Sequence, residues 1–309
     1  MSDKILIVGA GAIGSFYGAL LAKTGQQVSM VVRSDYDVVK AHGVYVESTL
    51  GSWRFIPHHV VKNAAEYPEP ADFVVLCTKV TNEIDRVELV RAAVKPDTAI
   101  VLIQNGIGIE KEIAQAFPDN LLISGLAFIC ATRIKPGYVQ HTAYGRLVFG
   151  DYPQGVSDKT TTFAAMFDES GIKAATTDNV VTARWQKTVW NAPFNPISVL
   201  SSGLDTQTVL NTQEAYLRAI MCEVTEIAKA VGHPLRDDII DLNIDSTRKM
   251  PPYKTSMLID AEHGRMMETE AILGNVVREG QLAGVATPYL SSLYALMKLR
   301  EIQIEKSGY

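Results

Sequence analysis

The chain has 309 residues, of which 47% are hydrophobic and 20% charged, and its formal net charge is −5. This composition indicates a globular protein with a sizeable core, divided into one large or two medium domains. The acidic balance, with no run of lysine or arginine, argues against nucleic acid as a partner.

The cysteines and histidines form no metal-binding or disulfide pattern in the sequence. Cys77, Cys130 and Cys222 lie far apart without a C-x-x-C motif, so they are predicted to be reduced core residues. His58 and His59 are adjacent rather than four residues apart, and no metal is predicted.

The apolar stretch 5–22 has the hydropathy of a signal peptide or membrane helix. Four glycines interrupt it, and a nucleotide-binding turn explains it better. No other long apolar run follows, so a cytoplasmic protein without a membrane partner is expected.

A strand, a tight turn and a helix are predicted at the start of the chain. The apolar run 4–8 leads into a G-x-G-x-x-G motif, and a helical pattern continues to Lys23. Such a turn brings the backbone close to a pyrophosphate, and the helix N-terminus offers unpaired N–H groups to it. The predicted cofactor-binding residues of the turn are Gly9, Ala10, Gly11, Ala12, Ile13 and Gly14. The alternative is an ordinary turn between strand and helix.

The residue after the second strand, Val28–Val32, bears on the choice of cofactor. An NAD site usually has an acidic residue there for the ribose hydroxyls, whereas this chain has Arg33. A guanidinium suits a 2′-phosphate, which favours NADP. The alternative is that Arg33 is a solvated loop charge and that Asp35 or Asp37 binds the ribose.

The first half of the chain continues to alternate between strands and helices. The predicted elements are helix Tyr36–His42, β-pieces Val44–Glu47 and Trp53–Val61, strand Phe73–Cys77, helix Glu83–Ala93, strand Ala99–Ile103 and helix Ile109–Phe117. Short strands Leu126–Thr132, Tyr138–Thr142 and Arg146–Gly150, helix Thr160–Ser170 and strand Lys173–Thr177 follow. This rhythm predicts a doubly wound parallel sheet with an antiparallel extension.

The second half has a helical period without a convincing strand. Helices are predicted at Glu214–Val231, Glu268–Leu282 and Leu290–Ile304. The predicted fold is therefore an α/β Rossmann-type N-terminal domain followed by an all-α C-terminal domain. The expected domains are an NADP-binding domain at 1–178 and a helical substrate and catalytic domain at 179–309, with the substrate in the cleft between them.

Polar residues follow two strands of the predicted sheet and mark one face of a predicted helix. Lys79 and Asn105 come after neighbouring strands, where they can hold a nicotinamide, a ribose or a substrate carboxylate. Lys187, Asn191 and Asn195 are four residues apart and share one helix face among buried aromatics, which suggests the polar wall of a pocket. The alternative is a snorkelling lysine with two helix-end asparagines, and the nearby Pro193 and Pro196 weaken the assumption of one continuous helix.

Several motifs occur together in one order along the chain. They are the glycine turn, Thr78-Lys79, Asn105-Gly106-Ile107-Gly108, Trp185-x-Lys187 with Asn191 and Asn195-Pro196, Ser256-Met257 with Asp260, and Glu268. In this combination the chain resembles the ketopantoate reductase (2-dehydropantoate 2-reductase) family over nearly its whole length. The resemblance implies a C-terminal domain like that of 6-phosphogluconate dehydrogenase and the NADPH-dependent reduction of ketopantoate to (R)-pantoate, for pantothenate and coenzyme A synthesis.

The resemblance also implies the role of each matching residue. Lys187 matches the general acid, which also contacts the substrate, and Glu268 matches an active-site glutamate that helps to organise cofactor and substrate. Lys79 and Asn105 match cofactor and substrate contacts, and Ala131 matches a backbone contact to the cofactor. Asn191, Asn195 and Ser256 match groups that hold the substrate, and Arg33 matches the arginine that binds the 2′-phosphate.

Helical spacing alone does not choose among Glu262, Glu268 and Glu270, but the register from Ser256 favours Glu268.

Three departures from the family pattern bear on the identity of the substrate. Asp205 and Tyr253 stand where an asparagine can occur, and Thr269-Glu270-Ala271 replaces the more usual Ile-Asp-Tyr. Two alternative functions follow: a related D-2-hydroxyacid dehydrogenase of the mandelate type, and a non-catalytic NADP-binding regulatory protein. A homodimer through the last helices is a further expectation.

Overall fold

The computed structural model describes residues 2–306, which form two compact units. Unit 1 comprises the described residues up to Lys79, Ile84–Gln104 and Ile109–Val180. Unit 2 comprises Val80–Glu83, Asn105–Gly108 and the described residues from Val181 onward. The assignment of NADP binding to 1–178 and of catalysis to 179–309 stays a prediction.

Unit 1 contains all ten strands of the described chain. They are β1 Lys4–Val8, β2 Gln27–Val31, β3 Val44–Ser48, β4 Trp53–Phe55, β5 Val60–Val61, β6 Phe73–Leu76, β7 Ala99–Ile103, β8 Leu122–Lys135, β9 Tyr138–Asp151 and β10 Ala174–Thr176. The helices of this unit are α1 Ala12–Lys23, α2 Tyr36–His42, α3 Arg86–Arg91, α4 Lys111–Ala116 and α5 Asp158–Ala165.

The strands form one sheet in the order β4-β3-β9-β8-β7-β6-β1-β2-β5, with β10 paired to β9. The run from β8 through β7, β6, β1 and β2 to β5 is parallel, whereas β8 and β9 pair antiparallel. The predicted parallel sheet with an antiparallel extension is thus confirmed. The carboxyl ends of β1, β6 and β7 consequently lie at the same edge of the sheet.

Two predicted strand patterns were wrong in detail. The short strands predicted between residues 126 and 150 are parts of the two 14-residue strands β8 and β9. Register shifts at three places in this pair break the alternation of side chains, so the sequence pattern resembles several short strands. The predicted piece Trp53–Val61 is two strands, separated at Pro57, which cannot donate to a ladder.

Unit 2 consists of helices around its own hydrophobic core. They are α6 Val180–Leu200, whose first residue belongs to unit 1, α7 Thr206–Ala230, α8 Ile239–Lys249, α9 Ser256–Glu262, a π-helical turn Glu270–Gly274, α10 Asn275–Leu282 and α11 Pro288–Lys306. The sequence reasoning missed α8, which carries many polar residues, and α9, which has only seven residues. Each helix of the described chain is too short or too polar to span a membrane.

Helix α6 is continuous although it contains Pro193 and Pro196. Each proline deprives the carbonyl four residues earlier of its helical donor. The side chains of Trp185, Val189 and Phe194 on this helix are almost completely buried, and their packing stabilises it despite the lost hydrogen bonds. One helix therefore carries the polar face predicted from the sequence, as the four-residue spacing indicated.

The described cysteines form no disulfide. Cys77 and Cys130 are partly buried, but Cys222 is exposed on α7, so the prediction of three core cysteines was wrong for Cys222. Desolvation raises the pKa of the Cys77 thiol, which keeps it protonated.

Asp205 caps helix α7. Its carboxylate accepts hydrogen bonds from the backbone N–H groups of Gln207 and Thr208, at 2.9 and 3.0 Å. The sequence predicted that this helix begins at Glu214, where the apolar period starts. In the structure α7 begins at Thr206, and the non-helical backbone of Gln213 separates its first turns from the predicted part. The Thr208 backbone hydrogen bond is the largest cause that lowers the pKa of Asp205, since these bonds favour the ionised form.

Replacing Asp205 by alanine should lower the free energy of unfolding by about 1 kcal/mol at neutral pH, since a helix cap is lost. A lowered folded-state pKa contributes stability above the unfolded value and loses it as the pH falls through the folded value. The difference between wild type and Asp205→Ala should therefore shrink below about pH 4. Urea unfolding across pH measures it. Asp205→Asn keeps an accepting oxygen, so an equal loss in both variants at neutral pH would contradict the capping role.

Candidate active site

The glycine turn of unit 1 has the geometry that its sequence predicts. Gly9 has a φ of +108°, and a Cβ there would lie 2.8 Å from the backbone nitrogen of Thr78, which follows β6. A Cβ at Gly14 would lie 2.1 Å from the Gly9 carbonyl oxygen, so α1 packs directly on the turn. A Cβ at Gly11 would meet no atom within 4 Å, and this residue is exposed.

This arrangement fits the phosphates of a dinucleotide. Gly11 precedes α1 and has no side chain to cap it, so the first backbone N–H groups of the helix remain available for an anion. Ala12 and Ile13 are partly buried in the first turn, and Ala10 is partly buried beside Gly9. At Gly11 a phosphate can approach the backbone without meeting a side chain.

The alternative ribose acceptor Asp35 is already engaged within unit 1. Its carboxylate accepts hydrogen bonds from Arg133 at 2.6 Å, Ser34 at 2.9 Å and the Gly137 backbone N–H at 3.1 Å. Asp35 is buried by these contacts, whereas Arg33 and Asp37 are exposed. Because both carboxylate oxygens of Asp35 are bound, the exposed charged side chains just beyond β2 are those of Arg33 and Asp37.

Gln104 links the carboxyl ends of β6 and β7. Its Nε2 donates to the Thr78 carbonyl oxygen at 2.5 Å, and its Oε1 accepts from Arg86 at 3.1 Å. Arg86 is buried and also donates to the Ile109 carbonyl oxygen at 2.7 Å. The half-buried Lys79 follows Thr78, and the half-buried Ala131 lies on β8 beside one of its register shifts.

Lys187 and Asn105 meet within unit 2. The Lys187 Nζ donates to the Asn105 Oδ1 at 2.7 Å, and both residues are partly buried. Asn191 and Asn195 are buried on the same face of α6, one and two turns beyond Lys187. The alternative was a lysine whose ammonium only extends into solvent. In the structure the Lys187 ammonium instead donates to an amide oxygen 82 residues away in sequence.

Glu268 differs from the neighbouring glutamates in its partner. Its Oε1 accepts a hydrogen bond from the Val80 backbone N–H at 3.0 Å, and Val80 directly follows Lys79 in sequence. Glu262 pairs instead with Lys254 at 2.6 Å. Glu270 is bound by Arg278, Tyr294 and Lys298 at 3.0, 2.7 and 3.2 Å. The two neighbouring glutamates therefore serve ion pairs within the helical unit.

Ser256 is exposed at the first residue of α9. The preceding Thr255 caps this helix by accepting from the Leu258 N–H at 3.2 Å, and its hydroxyl lies 2.6 Å from that of Ser198 on α6. Ser198 in turn donates to the Asn195 carbonyl oxygen at 2.8 Å. These bonds fix the start of α9 beside the end of the polar face of α6.

His58 and His59 come together with Glu69, which the sequence did not indicate. The three candidate ligand atoms lie within 4.8 Å of one another, and the Glu69 carboxylate also pairs with Lys4 at 2.5 Å. The hydrogen bond from Lys4 is the largest cause that lowers the pKa of Glu69. This cluster is a surface ion-pair group of unit 1, separate from the residues of the glycine turn.

Two segments of the chain match the N- and C-terminal models of one known family. Residues 5–154 match the family described as "Ketopantoate reductase PanE/ApbA", and residues 179–301 match its C-terminal model. The chain belongs to the ketopantoate reductase PanE/ApbA family. The predicted family and fold class are thereby confirmed, and the chain is an oxidoreductase of a nicotinamide-dependent family.

Individual relatives of this family cover nearly the whole chain. A 2-dehydropantoate 2-reductase from Nostoc sp. is 35% identical, with coverage of 96% of this chain and 94% of the relative. The crystal structure of 2-dehydropantoate 2-reductase from Methylococcus capsulatus is 59% identical, with a TM-score of 0.93 and 97% of each chain covered. A ternary structure of D-mandelate dehydrogenase with NADH and anilino(oxo)acetate shares the fold at 24% identity, a TM-score of 0.88, and coverage of 98% of this chain and 99% of that one.

Proposed function

We propose that the chain catalyses the NADPH-dependent reduction of ketopantoate to (R)-pantoate, a step toward pantothenate and coenzyme A. The observation that carries this proposal is the hydrogen bond from Lys187 to Asn105, on the α6 face that also bears Asn191 and Asn195. A cation and several amides on one face suit a small 2-oxo acid, which carries a ketone, a carboxylate and here a hydroxyl group.

Lys187 is the proposed general acid. As the ketone carbon is reduced, negative charge develops on the carbonyl oxygen, and the Lys187 ammonium stabilises that charge and donates its proton to the oxygen. Asn105 accepts one N–H of this ammonium at 2.7 Å, which restrains the position of the proposed proton donor. Water returns a proton to the neutral amine before the next turnover.

The amide and hydroxyl groups of unit 2 are the proposed substrate contacts. Asn191, Asn195 and Ser256 offer N–H and O–H donors for the carboxylate and acceptors for the substrate hydroxyl. The Thr255–Ser198 contact keeps Ser256 near the end of the same helix face. Glu268, whose carboxylate is held by the Val80 N–H, is the proposed organising acid for cofactor and substrate.

The glycine turn is the proposed binding site of the cofactor phosphates, through the N–H groups that follow Gly11. Lys79, Asn105 and Ala131 are proposed to contact the rest of the cofactor. When bound, a dihydronicotinamide supplies the hydride that adds to the ketone carbon.

NADP is the proposed form of the cofactor because of Arg33. This guanidinium is exposed just beyond β2. Of the two acids that could instead bind a ribose, Asp35 is bound by Arg133, whereas Asp37 is exposed. A planar guanidinium binds a phosphate through paired, charge-assisted hydrogen bonds.

The main alternative is a related D-2-hydroxyacid dehydrogenase that uses NAD. The departure at Asp205 gives it little support, because that carboxylate caps α7 and is bound by backbone N–H groups. Tyr253 lies beside the same cap, since its carbonyl oxygen accepts from the Thr206 N–H at 3.1 Å.

The second alternative is a non-catalytic NADP-binding protein, which would not need the Lys187–Asn105 contact. A homodimer and a cytoplasmic location stay predictions; Leu296, Leu299 and Ile302 are exposed on α11.

Replacing Lys187 by alanine should reduce kcat for ketopantoate about 10²- to 10⁴-fold, because the proton donor is lost. The dissociation constant of NADPH should stay close to that of wild type. The matched control is Lys229→Ala, which removes an exposed lysine of α7. Steady-state kinetics and a fluorescence titration measure both quantities, and a kcat equal to that of the control would remove the assigned role.

Replacing Arg33 by aspartate should weaken NADPH binding roughly 10- to 100-fold, since charge-assisted bonds to the 2′-phosphate are lost and replaced by repulsion. NADH binding should change far less. Arg91→Asp is the control at another exposed arginine of unit 1. Dissociation constants of both cofactors decide the matter: a ratio of NADPH to NADH affinity that stays as in wild type would sink the assignment.

A further inference from the structure

The backbone of the 105–108 segment of unit 2 forms hydrogen bonds with neighbouring helical regions. The Ile107 N–H donates to the Ala271 carbonyl oxygen at 3.0 Å, and the Ile107 carbonyl oxygen accepts from the Asn275 Nδ2 at 2.6 Å. The Gly106 carbonyl oxygen accepts from Arg184 at 3.4 Å. Three consecutive polar groups of the backbone are thus bound by two helical regions of the unit.

The π-helical turn Glu270–Gly274 explains why the Ala271 carbonyl oxygen is available. In an α-helix this oxygen would accept from the N–H of Asn275, four residues later. Here the Asn275 N–H bonds to the Glu270 carbonyl oxygen, five residues back. The Ala271 oxygen therefore accepts from Ile107, outside its own helix. Such single π turns are frequent at functional sites.

Gly106 makes this close approach sterically feasible. Its φ is +115°, and a Cβ at this position would lie 2.5 Å from the Ala271 Cβ and 2.8 Å from the Ala271 oxygen. The segment can dock on the π turn only because residue 106 lacks a side chain. Asn105, directly before it, presents its Oδ1 to the Lys187 Nζ at 2.7 Å.

We propose that Asn275 and the π turn are positioning elements for the Lys187–Asn105 pair, and that Asn275 acts by holding the Ile107 backbone. This inference rests on the proposed function, in which Lys187 donates the proton. Asn275 is itself fixed, because its Oδ1 accepts from Arg278 at 2.6 Å. With its oxygen bound to Arg278, the Asn275 side chain directs its Nδ2 group toward the Ile107 carbonyl oxygen.

The test compares Asn275→Leu with Asn243→Leu in the full chain. Leucine approximates the shape of asparagine without adding charge. Asn243 is a matched control, since its Nδ2 also donates to a backbone carbonyl oxygen, that of Ile239 at 2.8 Å, within α8. Asn275→Asp is a second variant that keeps an oxygen acceptor for Arg278 but turns an oxygen toward the Ile107 carbonyl group.

Two readouts separate positioning from general stability. Hydrogen–deuterium exchange at the Ile107 amide should become about tenfold faster in both Asn275 variants, because the segment loses a hydrogen bond that restrains it. The kcat for ketopantoate should fall roughly 10- to 100-fold, as expected when a catalytic group is misplaced by about 1 Å. The dissociation constant of NADPH and the melting temperature should match those of Asn243→Leu.

The outcomes distinguish this inference from the proposed function. Unchanged protection of Ile107, or a kcat equal to that of Asn243→Leu, would overturn the positioning role while wild-type activity stands. A wild type that reduces no 2-oxo acid would contradict the proposed function instead. In that case hydrogen exchange alone decides the inference, since faster exchange in the Asn275 variants supports the restraint and equal exchange rejects it.

Discussion

The hydrogen bond between the Lys187 ammonium and the Asn105 side chain is the contact on which the proposed chemistry depends. A lysine has four flexible methylene groups, so an unrestrained ammonium samples many positions. Here the buried side chains of Trp185 and Phe194 fix the rotation of α6, and Asn105 fixes the end of the lysine side chain. The proposed proton donor is therefore positioned before any substrate binds, which would lower the entropy cost of the proposed reaction.

A second constraint acts on the backbone of unit 1. Gly9 and Gly14 are glycines because neighbouring atoms lie within 3 Å of where a Cβ would be, whereas Gly11 faces open space. The turn thus packs tightly on one side and leaves N–H groups accessible on the other. Beyond the next strand, Arg133 binds Asp35, and Arg33 is exposed at the position that is proposed to select the cofactor.

Sequence patterns predict those parts of the molecule that depend on local periodicity. The strand Ala99–Ile103 and the helix Tyr36–His42 were predicted with their bounds, and the polar face of α6 follows from a spacing of four residues. Contacts distant in sequence could not be predicted, such as the capture of Asp35 by Arg133 or the bond between Ile107 and Ala271. The π turn was not predicted either, because the apolar pattern of the predicted helix Glu268–Leu282 does not reveal which carbonyl oxygen accepts from the Asn275 N–H.

The most direct test of the account is NADPH oxidation by the purified protein with ketopantoate, beside pyruvate, 2-oxoisovalerate and phenylglyoxylate, and with NADH as a parallel cofactor. We expect efficient turnover of ketopantoate with NADPH and much slower turnover with NADH or with the other 2-oxo acids. Efficient turnover of phenylglyoxylate with NADH, and none of ketopantoate, would contradict the proposed function. The protein would then be a D-2-hydroxyacid dehydrogenase with the same fold.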